Sequence, residues 1–128
     1  MKRILIPFIC ALVCLSVSAS CKTPKTPKTF VVNTEQLGKE VMGYAGPTPV
    51  EITVVDGKID KIVALPNSET PGFFQRVTES PIFTVLKGKT IKEASEVKLD
   101  AVSGATYSSK AVIENIRLGL EEAAKKAK

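Results

Sequence analysis

The chain has no histidine. That removes the usual general base, the commonest metal ligand and any Ser-His triad. Its three cysteines, Cys10, Cys14 and Cys21, all lie close to the start. Everything after Cys21 therefore has no thiol, can form no disulfide, and offers no Cys-based metal or iron–sulfur site. Metal ligation is not expected, and any redox role must come from a bound organic cofactor. Dense basic charge is also missing. The 18 Lys and Arg against 13 Asp and Glu give a formal charge of +5, but two of the bases are Lys2 and Arg3, and several more sit in a proline-rich stretch and in the C-terminal tail. Without a basic face interleaved with aromatics, nucleic acid is not an expected partner. At 128 residues there is room for one small domain.

The N-terminus reads as an export segment. Met1-Lys2-Arg3 is a short positive start, residues 4–17 are almost wholly apolar, and Ser18-Ala19-Ser20 is a run of small residues ending at Cys21. This is the three-part layout of a secretory signal, and the apolar core is short for a membrane span. Small residues directly before a cysteine resemble a bacterial lipobox, although Ser18 stands where Leu is more usual. The resemblance implies lipidation of Cys21 and an exported, membrane-anchored lipoprotein on the periplasmic or cell-surface side. The alternatives are a plain signal peptide cut nearby or an uncleaved anchor. From Lys22 the chain repeats Thr-Pro-Lys. Such a segment predicts an extended, semi-rigid spacer of roughly 3 Å per residue, long enough to hold a domain about 25 Å from a membrane. Its lysines suit lipid headgroups. The expected divisions are residues 1–20 as signal peptide, 21–29 as lipidated cysteine and tether, and 30–128 as the folded domain.

Within that domain the clearest local pattern is a β-hairpin. In residues 49–55, Val50, Ile52 and Val54 alternate with Glu51, Thr53 and Val55; Asp56-Gly57 is a two-residue turn; residues 58–65 return with Ile59, Ile62 and Val63. Before it, Phe30-Val31-Val32 is short and apolar, and Asn33 or Thr34 is placed to cap a helix through about Met42, with Leu37 and Val41 four apart. Gly43-Tyr44-Ala45-Gly46-Pro47 ends it. After the hairpin comes a loop of turn formers, residues 66–72. Phe73-Phe74 follows, at least one of the pair closing the core. Residues 72–78 read as a short helix, and Ser80-Pro81 as the start of a turn or helix through Leu86. Residues 90–99 read as a further strand built on Ile91, Val97 and Leu99. From Ser108 to about Lys125, Val112, Ile113, Ile116, Leu120, Ala123 and Ala124 form a helical stripe. The expected fold is α+β: a small antiparallel sheet built on a β-hairpin, packed by helices, with a long C-terminal helix.

The stretch Asp100-Ala101-Val102-Ser103-Gly104-Ala105-Thr106-Tyr107-Ser108-Ser109 stands apart because its composition suggests chemistry. Ser103, Gly104 and Ala105 let the backbone turn tightly and approach a ligand closely. Thr106 offers a hydroxyl beside a helix start, where unpaired N–H groups and a partial positive charge favour phosphate. Ser108 and Ser109 can cap the helix or donate to the same anion. On the residues alone, a Ser-Gly turn followed by an ordinary cap is an equal reading.

The run Asp-x-x-Ser-Gly-Ala-Thr resembles the flavinylation motif of the FMN-binding domain family, which includes domains of the Na+-translocating NADH:quinone oxidoreductase and of the Rnf electron-transport complex. Glu69-Thr70-Pro71-Gly72 resembles a second recurring stretch of that family; after it this chain continues Phe73-Phe74-Gln75-Arg76, where the respiratory-complex members have a shorter Leu-Gly type continuation. The resemblance covers residues 43–124. It implies FMN attached through a phosphoester to Thr106, with Asp100, Ser103, Gly104 and Ala105 as the recognition frame and the Tyr107 to Ser109 backbone at the phosphate. Glu69, Thr70, Gly72 and Phe73 are expected on the ring side. It further implies maturation by a flavin transferase that uses FAD and Mg2+, membrane redox partners, and an electron carrier or redox-complex subunit more than an autonomous enzyme. A reversible FMN-binding module and a cofactor-free surface lipoprotein are the other readings left open.

Overall fold

The computed structural model describes residues 26–128. The expected signal peptide, Cys21 and most of the Thr-Pro-Lys tether lie outside the described residues. The sheet is an antiparallel meander of β1 (Thr29–Asn33), β2 (Val50–Val55) and β3 (Lys58–Ala64), in the order β1-β2-β3. The β2–β3 turn has both central residues at positive φ, 51° at Asp56 and 77° at Gly57, as a two-residue hairpin that follows the strand twist requires. One detail of the hairpin departs from simple alternation. Thr53 faces Lys61 while Val54 faces Ile59, so Asp60 is an extra residue in β3. This bulge turns Ile59 and Ile62, three apart, onto the same buried face and leaves Val63 exposed.

That face is covered by α3 (Thr106–Lys126), whose Val112, Ile116, Leu120 and Ala123 pack on Val32, Ile52 and Val54. Ile113 is partly buried beside them, and Ala124 is exposed. The approach is close at Gly119, where a Cβ would lie 2.6 Å from Ile52 Cδ1 and 2.9 Å from Thr34 Cγ2. A polar tie crosses the same interface. Thr34 Oγ1 accepts the Val50 N–H at 2.8 Å and donates to Asn115 Oδ1 at 3.0 Å, and Asn115 Nδ2 donates to the Ala111 carbonyl at 3.0 Å. Each buried polar atom of the tie thus has a partner. The architecture is α+β, with the hairpin sheet, packing helices and long C-terminal helix expected from the sequence.

Three local expectations are corrected. Residues 33–42 do not form a helix: Phe30 to Asn33 belong to β1, and residues 35–40 make turns. Tertiary pairing overrides the local signal: the Thr34 N–H donates to the Val50 carbonyl at 3.0 Å, extending the β1–β2 pairing, and the Thr34 side chain turns into the core while Leu37 faces solvent. Residues 90–99 do not supply a strand; they contain α2 (Ile91–Glu96). Thr90 and Glu93 form a reciprocal capping box, with Thr90 Oγ1 accepting the Glu93 N–H at 3.2 Å and Glu93 Oε2 accepting the Thr90 N–H at 2.8 Å. The final helix begins at Thr106, two residues before the expected start. The short helix after the turn-rich loop is α1 (Pro71–Thr78), followed by a single 3-10 turn at Pro81–Phe83. Among the described residues no helix is long and apolar enough to cross a membrane.

Candidate functional site

The sheet's helical cover leaves a cleft where three chain segments meet: the loop around Tyr44, the start of α1, and the loop that leads into α3. Its volume is about 380 Å³, within the range of small-molecule sites. Glu69, Thr70 and Phe73 form one wall, Tyr44 another, and Gly104 to Ser108 the third. Tyr44, Tyr107 and Phe73 are 74%, 70% and 52% exposed. Large aromatics this open to solvent are out of keeping with core packing, and all three surround the same hollow. Phe74 instead packs against the core.

The floor is held by one carboxylate. Glu69 is only 7% exposed. Its Oε1 accepts the Ala45 N–H at 2.8 Å, and its Oε2 accepts a hydrogen bond from Ser108 Oγ. The residue thereby joins the Tyr44 loop, the entry to α1 and the first turn of α3. Its own backbone is fixed by Asn67, whose Oδ1 accepts the Glu69 N–H at 3.0 Å.

The third wall is built by a tight turn. Gly104 sits at φ 81°, a conformation that strains residues with a Cβ, and Ala105 N–H donates to the Val102 carbonyl at 3.0 Å. Ser109 clamps the turn from inside the helix: its Oγ accepts the Val102 N–H at 2.9 Å and donates to the Ala105 carbonyl at 2.8 Å. Ser108 and Ser109 are therefore both committed to protein partners and neither caps α3. Ala105 occupies the cap position without a side-chain cap. The Ser109 N–H bonds the Ala105 carbonyl at 2.9 Å, and among the described residues the amides of Thr106, Tyr107 and Ser108 have no acceptor. A long helix thus points three free donors and the positive end of its dipole at the cleft.

Of the residues singled out in the sequence, Glu69, Thr70, Phe73, Gly104, Ala105, Thr106, Tyr107 and Ser108 are brought together around this cleft. Asp100, Ser103 and Gly72 are exposed and lie outside its lining. Cys21 is outside the described residues. Tyr44 was not anticipated; its signal is an aromatic in a Gly- and Pro-rich loop, where a core residue is out of place.

The sequence profile of the FMN-binding domain matches residues 43–121, from the glycine before Tyr44 to near the end of α3. The chain belongs to the FMN-binding domain family. The match contains every segment that lines the cleft, while β1 precedes it. Among curated proteins the comparison finds no match. As a member of the FMN-binding domain family the chain is a flavin-binding protein, and FMN is its ligand. The cleft fits that ligand chemically: uncapped amides at the start of α3 suit a phosphate, and the aromatic walls suit a flat ring system.

Proposed function

We propose that the chain is an exported, membrane-tethered electron-transfer flavoprotein that holds FMN covalently on Thr106 through a phosphoester bond. The observation that carries this reading is the position of Thr106. It is the first residue of α3, it is exposed, and it lines the cleft at the helix end whose amides lack acceptors among the described residues.

In the attachment step Thr106 Oγ1 gives up its proton and bonds to the FMN phosphorus of FAD. The phosphoanhydride bond breaks and AMP leaves. A flavin transferase carries out this step with Mg2+, so the metal belongs to maturation. The amides of Tyr107 and Ser108, with the α3 dipole, stabilise the charge that the diester retains. Phe73, Tyr44 and Tyr107 would hold the flat ring between them. Glu69 fixes the distance between these walls through Ala45 and Ser108. Bound FMN supplies the electron storage, and the protein supplies binding, orientation and electrostatics. The signal-like N-terminus and the lipobox-like Cys21 support export and anchoring. A carrier tethered beside membrane redox partners reaches them at high effective concentration, and an ester bond prevents loss of the cofactor to the surroundings.

The test is flavin fluorescence of the full chain in a denaturing gel, produced with and without a flavin transferase. A transferase-dependent band that disappears in Thr106→Ala is the expected result. Fluorescence that persists in Thr106→Ala removes the acceptor assignment. Flavin that leaves on denaturation makes the protein a reversible binder.

A further inference from the structure

Among the described residues, a charge beside the cleft has no ion-pair partner. Arg76, on α1, lies against the loop that leads into α3: a Cβ on Gly104 would stand 2.6 Å from Arg76 Nη1. The guanidinium carbon is 5.7 Å from the centroid of the Phe73 ring. Gly104 and Phe73 both line the cleft, so the guanidinium sits at its rim, beside the turn that ends in Thr106. Among the described residues the ion pairs all lie along α3, between Arg117 and Glu114, Arg117 and Glu121, and Lys125 and Glu122. Arg76 takes part in none of them. The carboxylate of the cleft is not a partner either: among the described residues Glu69 makes no ion pair, and its oxygens accept from Ala45 and Ser108.

A guanidinium resting over an aromatic ring keeps its N–H edge free, and that edge matches the geometry of a phosphate, which accepts two parallel hydrogen bonds from it. The α3 amides offer partial charge and three donors; Arg76 offers a full charge beside the turn that leads into them. We propose that Arg76 is a phosphate-binding residue of the flavin site, reaching across Gly104 to the phosphate of FMN while Phe73 holds its guanidinium in place. The proposal rests on the FMN reading of this cleft. It assigns to Arg76 the discrimination between FMN and the same ring system without phosphate. It also gives the glycine a second reason to be there: a side chain at position 104 would occupy the guanidinium's place.

The test is equilibrium titration of the full chain carrying Thr106→Ala, so that binding is read without attachment, with FMN and with riboflavin as probes and flavin fluorescence as readout. Arg76→Gln is expected to weaken FMN about tenfold, the worth of one charge-assisted contact, and to leave riboflavin unchanged. Arg76→Lys is expected to keep part of the preference, and the preference is expected to shrink with added salt. If Arg76→Gln leaves FMN affinity unchanged, or weakens riboflavin equally, the proposal is overturned while the flavin site stands. If the Thr106→Ala chain binds neither flavin, the proposal and a reversible first encounter with FMN fall together, whereas covalent labelling of the Thr106 chain is judged separately by the denaturing gel.

Discussion

Ser108 donates a hydrogen bond to Glu69, a carboxylate 39 residues earlier in the chain, and the contact is buried. It joins the first turn of α3 to the entrance of α1. Because the other oxygen of Glu69 holds the Ala45 N–H at 2.8 Å, the width of the cleft depends on one side chain.

Ser108→Ala leaves a buried carboxylate oxygen without its partner, which typically costs about 1–3 kcal/mol. Glu69→Ala orphans both the Ala45 N–H and the Ser108 hydroxyl and is expected to cost more. Urea unfolding followed by circular dichroism measures both. The expected order is wild type, then Ser108→Ala, then Glu69→Ala, with FMN retention falling in the same order. Equal stability of all three chains would show that water replaces the Glu69 contacts freely.

Much of this architecture was legible because local chemistry and tertiary packing agree. Asp56-Gly57 specifies its turn, Val50, Ile52 and Val54 alternate, and the apolar stripe of α3 faces the sheet. The misread segments are those where contacts outside the apolar pattern decide, long-range in one case and local in the other. The Leu37 and Val41 spacing suggested a helix, but the Thr34 N–H pairs with the Val50 carbonyl at 3.0 Å and its side chain is drawn into the core by Val50 and Asn115, so residues 35–40 make only turns. The β-favouring residues of 90–99 hid the Thr90-x-x-Glu93 signature of a capped helix. At the site, the Ser-Gly-Ala-Thr and Glu-Thr-Pro-Gly stretches were legible as sequence. The placement of Tyr44 and Arg76 was not, because it follows from how two loops and α1 converge.

Gly119→Ala tests the packing of α3 on the sheet. The added methyl would fall 2.6 Å from Ile52 Cδ1 and 2.9 Å from Thr34 Cγ2. Both neighbours are fully buried, and Thr34 is held by Val50 and Asn115. Overpacking costs about 1–3 kcal/mol, and the better helix propensity of alanine returns up to roughly 1 kcal/mol. The expected result is a net loss of stability in thermal or urea unfolding, larger in Gly119→Val. A stabilised Gly119→Ala chain would mean that α3 can move away from β2 without cost.

Acid sensitivity is predicted at the α2 cap. The Thr90 backbone N–H and then its hydroxyl hold the Glu93 carboxyl below the usual carboxylate range. A depressed value in the folded state means that the ionised form is the one favoured by folding. The contribution is therefore present at neutral pH and is lost as the pH falls through the acid range, below about pH 5. Glu114, lowered by its bond to Arg117, works in the same direction. Glu93→Gln keeps a capping acceptor but cannot ionise, so its stability is expected to fall less steeply on acidification than that of the wild type. Thr90→Ala removes the cap itself and is expected to cost about 1 kcal/mol at neutral pH. Parallel acid limbs for wild type and Glu93→Gln would remove Glu93 from the account.

Gly104→Ala separates backbone strain from site geometry. At φ 81° a residue with a Cβ is strained by about 1–2 kcal/mol, so a modest loss of stability is expected. The new methyl would also fall 2.6 Å from Arg76 Nη1, which lies at the end of an exposed, flexible side chain and can swing away cheaply. The fold should therefore survive while Arg76 leaves the rim of the cleft. The expected signature is weaker FMN binding with riboflavin affinity kept, matching Arg76→Gln, and little further loss when the two changes are combined. Fully additive losses in the double variant would show that Gly104 acts on the site without Arg76, through the turn that presents Thr106.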